Sequence, residues 1–188
     1  MKHVIPSLAV ALAIATAGST TAAADDVAQP AWTVGYSIQR YQDDFGTGLL
    51  AATPTFLGDS LRVTLGGGLG WYPHATNDDG DQDWAPYGDV RLVLEGGHRA
   101  PGTQVRTYGF AGPVLFITPS RLSDERVSIG GTGGFGFEYY FMSEKGDGPV
   151  SYFTELGGIG TNTRADRLPG RPLIANGFAV TAGFRFHL

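Results

Sequence analysis

The chain has 188 residues, of which 29 are glycine and none is cysteine, and its formal net charge is −5 at pH 7. The lack of cysteine excludes a disulfide scaffold and thiolate metal sites. The negative charge and the presence of only two lysines argue against a nucleic-acid-binding surface. Glycine follows no three-residue period, which excludes collagen, and the 12% of aromatic residues is too high for a disordered glycine-rich linker.

Residues 1–24 have the pattern of a secretory signal peptide. A short basic start is followed by an apolar run over residues 4–17 and by small residues that end at Ala24. The apolar run is shorter than the roughly 20 residues that a membrane-spanning helix needs. We therefore expect residues 25–188 to form a single domain outside the cytoplasm.

The remaining chain alternates apolar and small or polar residues with a period of two, which predicts β-strands. On one strand, for example, Leu61, Val63 and Leu65 alternate with Arg62 and Thr64. Two of the weaker segments, 105–117 and 151–160, have faces that the pattern does not assign. The pattern predicts eight strands, four of them clear (near residues 32–39, 61–71, 127–141 and 178–188) and four weaker (48–57, 87–95, 105–117 and 151–160).

The predicted connections alternate between the two ends of the strands. If the N-terminus is periplasmic, the first, third, fifth and seventh connections face outward, and these include the two longest, 73–86 and 161–176. Long outer loops and short periplasmic turns are typical of outer-membrane barrels. The seven predicted connections are 41–47, 58–60, 73–86, 96–104, 118–126, 142–150 and 161–176.

Aromatic residues on the apolar faces lie near the predicted strand ends. Such residues form girdles at the two interfaces of a membrane barrel, because an amphipathic ring prefers the depth of the headgroups. A soluble sheet with one wet face would show the same alternation, so a soluble periplasmic barrel is an alternative. The predicted interfacial aromatic residues are Trp32, Trp71, Tyr139, Phe141 and Phe186.

The signal peptide, the eight strands, the glycine-aromatic stretch Gly133–Phe141 and the terminal Gly183–Leu188 resemble the OmpA/opacity-type outer-membrane β-barrel superfamily over residues 31–188. The resemblance implies a closed antiparallel up-and-down eight-stranded transmembrane β-barrel in the cell outer membrane. It also implies contact with outer-membrane lipid and lipopolysaccharide, and with barrel-insertion machinery through the C-terminal strand. We expect a monomer. The chain departs from the family in ending on Leu188 rather than an aromatic residue, and in Pro54 and Pro113, since proline breaks a strand ladder.

Charged residues fall on the faces that are predicted to line the lumen. Arginine matches carboxylates in pairs, and charges removed from water must be paired or hydrated. We interpret them as an ion-pair plug, because about eight strands leave room only for side chains. The alternative is a selectivity or gating site. The predicted network is Arg62, Asp89, Arg91, Glu95, Glu138, Glu155 and Arg185, with Asp89 and Arg91 higher in the barrel than the others.

A catalytic site is an alternative that the sequence supports only through single residues. His74 opens the long third connection and would combine with Ser120 or Ser123 and with Asp124 in an enzyme acting on lipid A acyl chains. No Gly-x-Ser-x-Gly elbow ties a serine to a histidine. We therefore predict no enzymatic activity and no cofactor.

An acidic stretch in the same connection has alternating carboxylates. Asp79, Asp81 and Asp83 are candidate metal ligands, but the stretch lacks the glycine and glutamate positions of an EF-hand loop. The prediction for the whole chain is a non-enzymatic outer-membrane barrel that acts in envelope integrity or in surface interaction through its outer loops. The alternatives are a lipid A acyl-modifying enzyme, a narrow pore and a soluble periplasmic binding barrel.

Overall fold

A computed structural model describes residues 32–42, 44–58, 60–76, 82–143, 146–167 and 173–188. No helix in these ranges is long and apolar enough to cross a membrane. The predicted signal peptide, residues 1–24, lies outside the described residues. Eight strands are present: β1 (Thr33–Tyr41), β2 (Asp44–Ala52), β3 (Leu61–Thr76), β4 (Gln82–Arg99), β5 (Val105–Ile117), β6 (Val127–Ser143), β7 (Gly146–Gly160) and β8 (Gly177–His187).

The strands form a closed barrel in sequence order, with every neighbouring pair antiparallel. Strand β1 closes the barrel by pairing with both β2 and β8, so that Tyr36 lies opposite Leu49 on one side and Phe184 on the other. This confirms the predicted fold class. We call the end that carries the start of β1 and the end of β8 the terminal end, and the opposite end the loop end.

The connections differ from the prediction mainly because several strands are longer than their apolar alternation. Only residues 42–43 join β1 to β2, whereas 41–47 was predicted. The turn 53–60 is longer than the predicted 58–60. The loops 118–126 and 161–176 have the predicted bounds and lie at the loop end. In a closed barrel each strand hydrogen-bonds to a neighbouring strand on both sides. Polar residues at the strand ends therefore continue the hydrogen-bonded ladder where the apolar alternation has stopped.

Side chains alternate between the lumen and the outer surface along each strand, as the period of two requires. The structure resolves the two segments that the sequence left open. In β5, Arg106 and Tyr108 are buried and face the lumen, and in β7 Phe153 and Glu155 face the lumen. Among the outward-facing strand side chains that the structure describes, only Arg40 carries a fixed charge.

Three of the prolines lie where a closed sheet tolerates them. Pro54 lies in the turn after β2. Pro113 lies in β5 where pairing with β4 is interrupted between Val114 and Ala111. Pro149 lies at a register shift between β6 and β7. A bulge or interruption accommodates a residue that has no N–H to donate to the ladder.

Tyrosine rings lie across lumen-facing glycines of the neighbouring strand. A Cβ at Gly70 would stand 2.3 Å from the ring of Tyr87, its ladder partner. A Cβ at Gly136 would stand 2.5 Å from the ring of Tyr108, which is also its ladder partner. These glycines therefore provide the space that the rings occupy, which accounts for part of the glycine and aromatic content of the chain.

Candidate functional site: the lumen of the barrel

Six charged side chains meet inside the barrel towards its terminal end. They are three arginines and three glutamates, one from each of the strands β3 to β8, so their formal charges cancel. We call this set the lumen ion cluster: Arg62, Glu95, Arg106, Glu138, Glu155 and Arg185.

Arg185 lies at the centre of the lumen ion cluster and is fully buried. Its Nη2 lies 2.9 Å from Glu95 Oε1 and 3.4 Å from Glu155 Oε1. Its Nη1 donates to Glu138 Oε2 at 3.0 Å. Its guanidinium carbon also lies 4.2 Å from the ring centroid of Phe153. One arginine of the last strand therefore connects carboxylates from three other strands.

Arg62, which comes from β3, binds two of these carboxylates, those of Glu95 and Glu138. Its Nη2 lies 2.6 Å from Glu95 Oε2 and 2.9 Å from Glu138 Oε2. Arg106 Nη1 is more distant, 3.3 Å from the same oxygen of Glu95. Glu95 and Glu138 thus each face three guanidinium groups, which is the dense pairing that buried charges require.

Neutral side chains satisfy most of the remaining acceptors. Thr64 Oγ1 donates to Glu95 Oε1 at 2.6 Å, and Ser151 Oγ donates to Glu138 Oε1 at 2.7 Å. The Tyr108 hydroxyl donates to Glu155 Oε1 at 2.9 Å. Charge-assisted hydrogen bonds of this kind are shorter and stronger than neutral ones. The lumen ion cluster is therefore a fixed network rather than a loose collection of charges.

The other two predicted lumen charges form a separate pair nearer the loop end. Arg91 Nη2 lies 2.7 Å from Asp89 Oδ1 and also donates to Gln39 and to the hydroxyl of Tyr41. A cavity of about 40 Å³ lies between this pair and the lumen ion cluster. Its lining includes Arg91, Glu155 and Arg185. A cavity of this size and polarity has room for a few water molecules.

The described parts of the two loops at the loop end, 118–126, 161–167 and 173–176, fold over this end and cover it with apolar side chains; together we call them the lid. Leu122 and Ile174 are fully buried in one cluster with Phe116 of β5. The carboxylate of Asp44 fastens this region, because its Oδ2 accepts hydrogen bonds from Tyr87 at 2.9 Å and from the backbone N–H of Ala175 at 3.0 Å.

The structure does not assemble the serine and acid groups of the catalytic alternative. Ser123 Oγ is buried in the lid, where it donates to Asp166 and accepts from the N–H of Glu125. Asp124 instead pairs with Arg167 at 2.7 Å on the surface, and Ser120 is exposed. The side chain of His74 lies outside the described residues, so its place in the alternative stays a hypothesis.

The metal hypothesis falls mostly on residues that are not described. Asp79 and Asp81 lie outside the described ranges, as does the side chain of Asp83. Within those ranges, no group of three or more histidine, aspartate or glutamate side chains is placed to hold a metal ion.

The predicted interfacial aromatic residues occupy both ends of the outer surface. Trp71 lies towards the loop end, opposite Phe45. The others lie towards the terminal end, where Tyr139 packs edge-on against Phe141 with ring centroids 5.6 Å apart. The residues at the terminal end are Trp32, Tyr139, Phe141 and Phe186, all of them exposed.

Two parts of the site escape sequence reasoning. Arg106 lies in β5, whose residues are apolar on both faces, so alternation does not reveal its direction; its ladder pairing with Glu138 does. The lid depends on contacts between residues far apart in sequence, such as the N–H of Arg167 with the carbonyl of Leu122. The short apolar run Leu173, Ile174 and Ala175 within a loop is a local signal of the lid.

Together, the closed sheet, the ion-paired lumen and the apolar outer surface define the fold class of small closed eight-stranded antiparallel β-barrels. The structure is similar to the N-terminal β-barrel domain of OprF from Pseudomonas aeruginosa, with a TM-score of 0.57 and 18% sequence identity over 85% of this chain and 98% of that domain. This similarity confirms the predicted resemblance at the level of the fold. No protein-family model and no curated protein sequence matches the chain.

Proposed function

We propose that the chain is an integral outer-membrane protein that contributes to envelope structure and to surface interaction through its loop end, without enzymatic activity. One observation carries the proposal. The outer surface of the closed barrel is a continuous apolar belt, contributed by all eight strands, whose described side chains include a single fixed charge, Arg40. Soluble monomers rarely expose apolar patches of more than a few hundred Å².

The hydrocarbon core of a lipid bilayer provides the apolar surroundings that this belt requires. A closed barrel leaves no unpaired sheet edge, which is a condition for spanning hydrocarbon with strands. The shortest strands, β1 and β2, have nine residues, and a tilted strand crosses the bilayer in about 9–11 residues. We infer that both termini are periplasmic and that the lid faces outward, as the exported N-terminus predicts.

The contents of the lumen favour a structural role over a pore. The lumen ion cluster occupies one part of the barrel and the lid covers the other, with a cavity of about 40 Å³ between them. The fold of the OprF β-barrel domain supports the architecture proposed here and carries no activity to this chain.

Cell fractionation combined with gel migration of unheated and heated samples tests the proposal. We expect the protein in the outer-membrane fraction, and we expect its unheated form to migrate differently from the boiled form, since a closed barrel stays compact in detergent. Recovery in the soluble periplasm, with the same migration before and after heating, would refute the proposal and favour the soluble binding barrel.

A further inference from the structure

A groove of about 440 Å³ crosses the outer surface of strands β1 to β5. Its floor contains the outward-facing glycines Gly67 and Gly88, and a Cβ added at either would have no atom nearer than 3.8 Å. The groove therefore exists because side chains are missing there, not because the backbone is crowded. Its walls are Tyr36, Leu49, Leu69, Val90 and Ile117.

The ladder register shows what borders the groove. One row of outward positions, perpendicular to the strands, contains Thr47, Leu69 and Gly88. The next row towards the loop end contains Arg40, Phe45 and Trp71, which are successive ladder partners. Two residues along a strand span about 7 Å. A cation and two aromatic rings therefore stand directly above an apolar groove.

Arg40 is suited to bind an anion at this position. Its side chain faces outward, and its Nε donates to the carbonyl of Gln42 at 3.0 Å. Among the described residues it has no carboxylate partner within ion-pair distance, unlike the arginines of the lumen. An arginine near the headgroups pairs with phosphate oxygens through its remaining N–H groups.

Resting on the proposed membrane location, we propose that this face binds one molecule of lipid A, the phosphorylated and multiply acylated glycolipid of the outer leaflet. A phosphate pairs with Arg40, the sugar stacks beside Phe45 and Trp71, and one acyl chain lies in the groove over Gly67 and Gly88. The argument rests on the continuity of the groove with the lipid-facing belt and on the charge complementarity of its rim.

The test uses the full barrel in detergent micelles, with purified bis-phosphorylated lipid A as the probe and native mass spectrometry as the readout. Gly67→Leu combined with Gly88→Leu fills the groove at sterically open positions. Arg40→Gln removes the cation. The matched controls are Gly109→Leu, an outward glycine outside the groove with 3.8 Å of clearance, and Arg126→Gln, an exposed arginine in the lid.

We expect wild type and both controls to retain one lipid A. The groove double variant should lose it, and Arg40→Gln should weaken it about fivefold to tenfold, corresponding to roughly 1 kcal/mol for one arginine near a charged surface. The preference for phosphorylated over dephosphorylated lipid A should fall with Arg40→Gln alone.

Three outcomes would overturn the proposal: unchanged retention by the groove variant, an unchanged phosphate preference in Arg40→Gln, or equal retention of phosphatidylethanolamine by wild type. Gel migration of the same samples separates these failures from a failure of the proposed function. A protein that migrates as a heat-modifiable barrel from the outer membrane but binds no lipid A contradicts only the lipid site.

Discussion

At the scale of single residues, the glycines of the strands have two different roles. Gly70 and Gly136 face inward and leave room for the rings of Tyr87 and Tyr108. Gly67, on the same strand as Gly70, faces outward and has open space around it. The same residue type therefore responds differently to substitution according to the face on which it lies.

The pair Gly70 and Gly67 provides a matched stability test. Gly70→Ala places a Cβ against the ring of Tyr87. The hydroxyl of Tyr87 donates to Asp44, and its ring centroid lies 6.0 Å from that of Phe116. We expect a loss of about 1–3 kcal/mol in the free energy of unfolding, the usual cost of overpacking a core. Gly67→Ala should be close to neutral. Urea unfolding of the refolded barrel measures the free energy of unfolding of both variants. Equal effects would show that the Tyr87 ring does not restrict position 70 to glycine.

The arginines of the lumen ion cluster are also tested one at a time. Arg62→Ala leaves Glu95 and Glu138 buried with one guanidinium fewer, so we expect a loss of about 3–5 kcal/mol, as for other broken buried ion pairs. The exposed control Arg126→Ala should change stability by less than about 0.5 kcal/mol. Planar-bilayer recordings of Arg62→Ala should change little. A large gain in conductance at unchanged stability would indicate a gate rather than a plug.

At the scale of structural elements, the strands could largely be predicted and the lid could not. The alternation of Leu61, Arg62 and Val63 specifies a face because each strand in the barrel has one polar and one apolar side. β5 breaks this rule with Phe116 and Val114 facing inward, where the lid provides an apolar environment. Its direction therefore depends on loops whose sequence carries no periodic signal, which is why Arg106 was missed.

The seven predicted lumen charges all lie on inward faces in the structure. For six of them the strand pattern alone gives this direction, whereas the face of Glu155 in β7 is given by the structure. Their pairing could not be predicted, because it depends on the stagger between strands. Glu155 is an example: its partners Arg185 and Tyr108 come from β8 and β5, and no spacing in the sequence relates them.

One carboxylate, that of Asp44, hydrogen-bonds the lid to the barrel. Asp44→Ala removes the acceptor of both the Tyr87 hydroxyl and the Ala175 N–H, and each unsatisfied buried group costs about 1–3 kcal/mol. We expect amide exchange at Ile174, whose N–H is bonded to the carbonyl of Thr163, to accelerate at least about tenfold.

Asp124→Ala is the control for the lid, because it removes an ion pair whose side chains are 54% and 70% exposed. Exposed pairs of this kind contribute between about 0 and 1 kcal/mol. The amide of Ile174 should therefore keep its protection in this variant. If Asp44→Ala and Asp124→Ala behave alike in NMR-detected exchange, the lid is not held by Asp44.

At the scale of the whole molecule, the lid and the lumen ion cluster block the barrel in series. Opening one of them leaves the other in place. We therefore expect Asp44→Ala to show no sustained conductance in planar bilayers, even where its lid exchanges rapidly. Sustained openings in this variant, absent from wild type, would show that the lumen ion cluster does not seal the barrel.

The neutrality of the lumen ion cluster has a consequence for assembly. Its six charges come from six different strands, and the pair Arg185 and Glu95 is separated by 90 positions in sequence. An early hairpin such as β3–β4 pairs Arg62 with Glu95, whereas Glu155 meets Arg185 only when β8 is added. A chain that lacks its last strand carries an excess negative charge in the nascent lumen. The addition of β8 therefore completes both the closure of the sheet and the charge balance of the lumen ion cluster.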